Sequence, residues 1–174
     1  MSYEEKQGAL LFFGKANCSN CHYNQNLGSN EFHALGVNDM HQIPSFSSDP
    51  NDFRNLGRGG FTQREEDMFR FKVPQVYNMK DTPFYFHGSS VTSLEELVEY
   101  FNDGVKQNPN VPEESISSKF VPLDLTVEEK QNLVTFLEFS LRDPDLERYQ
   151  PEELGSGLCF PNADVQSQVD LGCY

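Results

Sequence analysis

The stretch from Tyr23 to Lys72 constrains this chain most. Asn, Ser, Asp, Gly and Pro dominate it, and no helical or strand period holds. A structureless connection of that length is unusual in a small domain and tends to be functional. A loop can be that long if it wraps something large. Composition points the same way. Only 37% of the 174 residues are hydrophobic, although fifteen Phe and seven Tyr supply area. The predicted core is aromatic, small and in need of a filler other than side chains. Local exceptions to the loop are expected near residues 32–37 and 65–71. Gly57-Arg58-Gly59-Gly60 follows no strand and precedes no clear helix, so it reads as a turn rather than a phosphate loop.

Regular structure is announced by three capping boxes. Ser2 with Glu5 opens a helix over roughly residues 3–16. Ser93 with Glu96 opens another, with Leu94, Leu97, Val98 and Phe101 on one face and an end near Gly104. Thr126 with Glu129 opens a third, carrying Leu133, Val134, Phe136, Leu137 and Leu141 until Asp143-Pro144 stops it. Between Val73 and His87, Pro74 and Pro83 favour extended or turn-rich chain. The sequence predicts an all-α domain of three main helices and long loops over 1–145. An irregular extension follows over 146–174. There is no internal repeat.

Asp and Glu number 27 against 13 Lys and Arg, a formal charge of −14. That argues against nucleic acid and anionic membrane surfaces as partners. No apolar run is long enough to span a membrane. A basic protein partner or a small neutral substrate fits the charge.

One motif carries chemistry: Cys18-Ser19-Asn20-Cys21-His22. Cys-x-x-Cys-His is the attachment signature of c-type haem. Two thiols at this spacing add across the two vinyl groups on one porphyrin edge, and the adjacent imidazole becomes the proximal iron ligand. Zinc is the first alternative, but the remaining Cys159, Cys173, His33, His41 and His87 contain no second close-spaced pair. A redox dithiol is the second, but it would need a βαβ context. Haem attachment of this kind takes place outside the bacterial cytoplasm. The acidic start, Met1-Ser2-Tyr3-Glu4-Glu5, is no signal peptide, so the native precursor is expected to carry one or a preceding domain. A periplasmic or other extracytoplasmic location follows. There Cys159 and Cys173 would pair as a disulfide, the alternative being two free buried thiols.

Around the motif stand Leu11-Phe12-Phe13-Gly14, then Phe71-Lys72-Val73-Pro74-Gln75-Val76-Tyr77-Asn78. Tyr85-Phe86-His87-Gly88-Ser89 and Leu94-Glu95-Glu96-Leu97-Val98 follow. In this order and spacing they resemble the C-terminal haem domain of bacterial di-haem cytochrome c peroxidases and their MauG-like relatives, over about residues 3–142. The tail from Ser156 to Asn162 resembles an extension of some MauG-like proteins.

The resemblance implies a cytochrome c fold wrapping one covalently bound haem, with a second haem elsewhere, since this chain has one motif. It also implies a Met or Tyr ligand in the helix after the His-Gly segment. Counted from His87 and Leu94, that position falls on Phe101, which cannot ligate iron. The apolar stripe favours Phe101 on the distal haem face. The iron is then five-coordinate, water-bound, or ligated by Tyr100, Met79 or Met40. His87 is the nominee for moving a proton between peroxide oxygens; its alternative is a structural histidine bonded to backbone. His33 and His41 read as solvent-facing or as loop pins. Arg70 and Lys72 are candidate partners for the haem propionates, or simple surface charge. The resemblance further implies calcium bound by the carbonyls of Thr82 and Phe84.

The expected function is haem redox chemistry of the peroxidase/MauG type: electron transfer, and peroxide reduction at the iron. The partner is a basic electron-transfer protein or a second haem domain. The alternatives are a monohaem electron carrier and a haem-stabilised structural subunit.

Overall fold

The structure, a computed structural model, describes residues 1–44, 48–143, 154–156, 165 and 169. Contacts divide the chain into Met1–Arg142 and Asp143–Tyr174. The architecture below is that of the first unit. Cys159 and Cys173, with their expected disulfide, lie outside the described residues.

Helix α1 (Tyr3–Phe13) starts at Ser2, whose side chain accepts from the Glu5 amide. It buries Gly8 and Phe12 against α4 (Val127–Thr135). The two helices touch where α1 has no side chain. A Cβ on Gly8 would stand 2.1 Å from the Asn132 carbonyl oxygen and 2.6 Å from Phe136 Cβ. Phe12 fills the space beside this crossing, its ring centroid 5.5 Å from that of Phe136. An ion pair between Lys15 and Glu129, 2.7 Å, closes one end.

Of the three expected capping boxes, only that of α4 is reciprocal. Thr126 accepts from the Glu129 amide, and the Glu129 carboxylate accepts from the Thr126 amide. On α3 (Leu94–Asp103), Ser93 caps the Glu96 amide, but the Glu96 carboxylate reaches one residue further back, to the Thr92 amide at 3.0 Å. Helix α3 ends at Gly104, whose φ of +60° favours glycine. Beyond Thr135, α4 widens into a π-helical turn, Phe136–Ser140, which buries Phe136 and Leu137.

The long loop is better furnished than its sequence predicts. Strands β1 (Phe32–His33) and β2 (Phe71–Lys72) pair antiparallel, with His33 opposite Phe71. Short 3₁₀ turns stand at Met40–Gln42, Phe53–Leu56 and Glu65–Asp67. Gly57-Arg58-Gly59-Gly60 is not a plain turn: it opens the five-residue helix α2 (Arg58–Thr62). The all-α expectation with three main helices is therefore corrected. Among the described residues there are four α-helices, a π-helical turn and a small antiparallel sheet. Two-residue strands and a five-residue helix are shorter than any period that could announce them.

The main core gathers Phe12, Val98, Leu133, Val134 and Leu137 between α1, α3 and α4. A second cluster, Val37, Tyr100 and Phe120, lies on the other side of α3. No helix among the described residues is long and apolar enough to cross a membrane.

Candidate haem-binding site

Between these clusters lies a cavity of about 660 Å³. Phe12, Val98, Phe101 and Leu133 make much of its wall apolar. Cys18, Cys21 and His22 all reach it. They do so because the chain leaves α1 through Asn17, at φ +54°, into a 3₁₀ turn over Cys18–Asn20. The amides of Cys21 and His22 both close back on the Cys18 carbonyl, at 3.2 and 3.0 Å. One compact turn thus brings the motif's three side chains to a single wall.

His22 is the best-determined of the three. Its Nδ1 lies 2.8 Å from the Leu27 carbonyl oxygen. A carbonyl only accepts, so Nδ1 carries the proton and the neutral ring holds its lone pair on Nε2. Leu27 itself sits at φ +48°, a conformation a leucine rarely adopts. Burial lowers the His22 pKa, against the opposing effect of the Leu27 and Pro74 carbonyls. Burial also pushes the Cys18 thiol up to about 12 and raises that of Cys21.

A brace holds the motif from outside. Lys119 Nζ donates to the Asn20 carbonyl at 2.9 Å and to Glu31 at 2.7 Å. The same Glu31 oxygen lies 2.9 Å from His33 Nε2, and His33 Nδ1 lies 2.9 Å from Ser117 Oγ. His33 is thus a pin, and it stands on the cavity wall. Ligand atoms of Cys21, Glu31 and His33 lie within 4.8 Å of one another, a grouping the sequence did not reveal. Glu31 and His33 already spend those atoms on the brace.

Opposite chain segments supply a second constellation. His87 Nε2 lies 2.8 Å from Oδ1 of Asp39, a carboxylate only 4% exposed. Asn108 donates to Asp39 Oδ2 at 2.9 Å, and the Asp39 amide donates to Gln42 at 2.7 Å. Phe71 lies flat on the His87 ring, centroids 3.7 Å apart and planes 8° apart. The partner of His87 is therefore a buried side chain, where the structural alternative had named backbone. Sequence reasoning missed Asp39 and Asn108, because a lone Asp and a lone Asn in loops carry no local signal.

Phe101 lines the cavity. Tyr100 packs into the second cluster, its hydroxyl donating to the Leu35 carbonyl at 2.8 Å, and burial pushes its phenol well above the usual range. Met79, Thr82 and Phe84 reach the cavity wall; Met40 does not. Lys72 is on the wall and donates to the Val73 carbonyl at 3.1 Å. Arg70 is not. It lines a separate cleft with Glu65, Glu66 and Glu114. Its backbone is bridged to Gly57, which ties it to the α2 side. His41 pins the loop through Asn55 at 3.4 Å.

Two thiols three residues apart, and an imidazole whose Nδ1 proton is fixed by a carbonyl, share one apolar cavity of ligand size. These residues fit covalent haem of the c type. No family model matches the chain. Individual relatives do. The cytochrome-c peroxidase IdrP2 of Denitromonas iodatirespirans is 29% identical, over 89% of this chain and 46% of that protein. The methylamine utilization protein MauG of Methylorubrum extorquens is 29% identical, over 81% of this chain and 35% of that protein. A MauG-like protein associated with microbial copper homeostasis has a crystal structure that superposes with a TM-score of 0.68. It is 28% identical, over 83% of this chain and 45% of that one. The chain is thus a homologue of the di-haem cytochrome c peroxidases and MauG. It spans less than half the length of these relatives.

Proposed function

We propose that this chain holds one haem c, with Cys18 and Cys21 as the residues that would attach it and His22 as the residue that would ligate its iron. It would serve as a redox domain of the peroxidase/MauG type, in electron transfer and peroxide reduction. The observation that carries this is the convergence of the three motif side chains on one apolar cavity, with His22 Nδ1 tied to Leu27. Bound haem supplies a one-electron centre and, where a face is open, a site for peroxide. His22 would hold the iron through Nε2. Phe101, on the cavity wall, would offer it no donor atom. His87 would move a proton, and Lys72 would pair with a propionate. The carbonyls of Thr82 and Phe84 would hold calcium. Covalent haem of this type fits a periplasmic location, and the net charge of −14 fits a basic electron-transfer partner.

Expression alongside a c-type haem maturation system tests the proposal. The expected product is one haem heavier than the polypeptide and has a Soret band that survives denaturation. A bare polypeptide mass would sink it. The single motif in the chain favours a second function, a monohaem electron carrier. Peroxide consumption by the reduced protein, measured against a variant carrying Phe101→Met, separates the two.

A further inference from the structure

We propose that His87 and Asp39 form a redox-linked proton site: His87 takes up one proton on Nδ1 when the haem iron gains one electron. This rests on the haem proposal above. Four segments build the pair. Asp39 is held through both carboxylate oxygens and its amide, by His87, Asn108 and Gln42. Gln42 also donates to Asn108 at 3.2 Å, which closes the ring of bonds around the carboxylate. Phe71 fixes the plane of the imidazole. Gly88 lets the backbone at residue 38 approach, since a Cβ there would stand 1.9 Å from the Asn38 carbonyl oxygen. Asp39 accepts from Nε2, so the neutral ring keeps its lone pair on Nδ1.

Nδ1 is the atom left over. The other ionisable groups of the cavity wall, outside the haem motif, are all engaged. Lys119 and His33 are held by Glu31, and Lys72 by the Val73 carbonyl. The hydroxyls of Tyr77 and Tyr85 donate to Gln25 and Met79. On the segments packed against His87, His41 faces Asn55, Lys106 pairs with Glu113, and Arg70 lines the acidic cleft. Among the described residues, Nδ1 of His87 has no hydrogen-bond partner.

An electron added to an apolar cavity favours a nearby cation, and an imidazolium against a buried carboxylate is such a cation. The step balances. One electron arrives from an electron-transfer protein, one proton arrives from water, and the only bond formed is N–H on His87. Asp39 acts as a positioning residue.

Potentiometric titration of the haem-loaded protein between pH 5 and 9, with a small mediator as electron source, reads this directly. Each tenfold fall in proton concentration should lower the potential, by up to about 59 mV over part of the range. His87→Gln keeps a donor for Asp39 but cannot take the proton, and the slope should vanish. Where that variant does not fold, the His87 ring proton resonances of the wild type, followed against pH in both oxidation states, carry the test. Their midpoint should be higher in the reduced protein. A pH-independent potential in protein with covalent haem overturns this inference alone. A slope that survives His87→Gln also overturns it and assigns the proton to a propionate. Failure to attach haem overturns this inference and the haem proposal together.

Discussion

Tyr100 and Phe101 are neighbours in sequence with opposite fates, and α3 decides which meets the cavity. The apolar stripe of Leu94, Leu97, Val98 and Phe101 was legible in the sequence, and the structure places Phe101 on the cavity wall. Phe101→Met puts a thioether there. The expected outcome is a change of the ferric haem spectrum from high-spin to low-spin, with slower binding of cyanide or azide. Tyr100→Phe removes only the bond to the Leu35 carbonyl. It should cost about 1 kcal/mol in urea unfolding and leave the spectrum alone. Loss of a tyrosinate-like band in that variant would mean that Tyr100 reaches the iron. Much of the site was readable at this scale because the motif is local: Cys18, Cys21 and His22 lie within one turn. Asp39, Asn108, Glu31 and Lys119 were not, since each finds its partner through the tertiary fold.

Helices α1, α3 and α4 start at the expected capping residues, and the elements without such a signal were missed. The N-terminal signals of α1, α3 and α4 are short-range chemistry, so Ser2, Ser93 and Thr126 could be picked out. Helix α2, the β1–β2 pair and the π-helical turn exist because distant chain supports them. Thr126→Ala breaks the reciprocal capping box of α4 and should destabilise the protein by about 1 kcal/mol, measured by denaturant midpoint. Gly8→Val is expected to be far worse, because its side chain would occupy the Asn132 backbone. Acid should loosen the same helix pair. The hydrogen bond from Lys15 holds the Glu129 carboxyl below its ordinary range, and that from Lys119 does the same for Glu31. A lowered folded-state pKa contributes stability above the unfolded glutamate range, and the contribution is lost as pH falls through the folded value. Thermal midpoints should therefore drop as pH falls below about 4.5, and less steeply in Glu129→Gln.

At the scale of the whole molecule, charge is the dominant property. A net charge of −14 should steer a basic electron donor, so the association rate should fall as salt rises from about 10 to 150 mM. A rate indifferent to salt would leave the charge as a solubility feature. The α1–α4 crossing has a consequence in time. Gly8 and the motif lie near the start of the chain, while Asn132 and Phe136, which pack against Gly8, come more than a hundred residues later. Until α4 packs on α1, the two thiols stand in open chain, before burial raises their pKa. A circular permutant that begins with α4 would bring the two helices closer along the chain, and the yield of covalently loaded protein would report how much maturation depends on that open state.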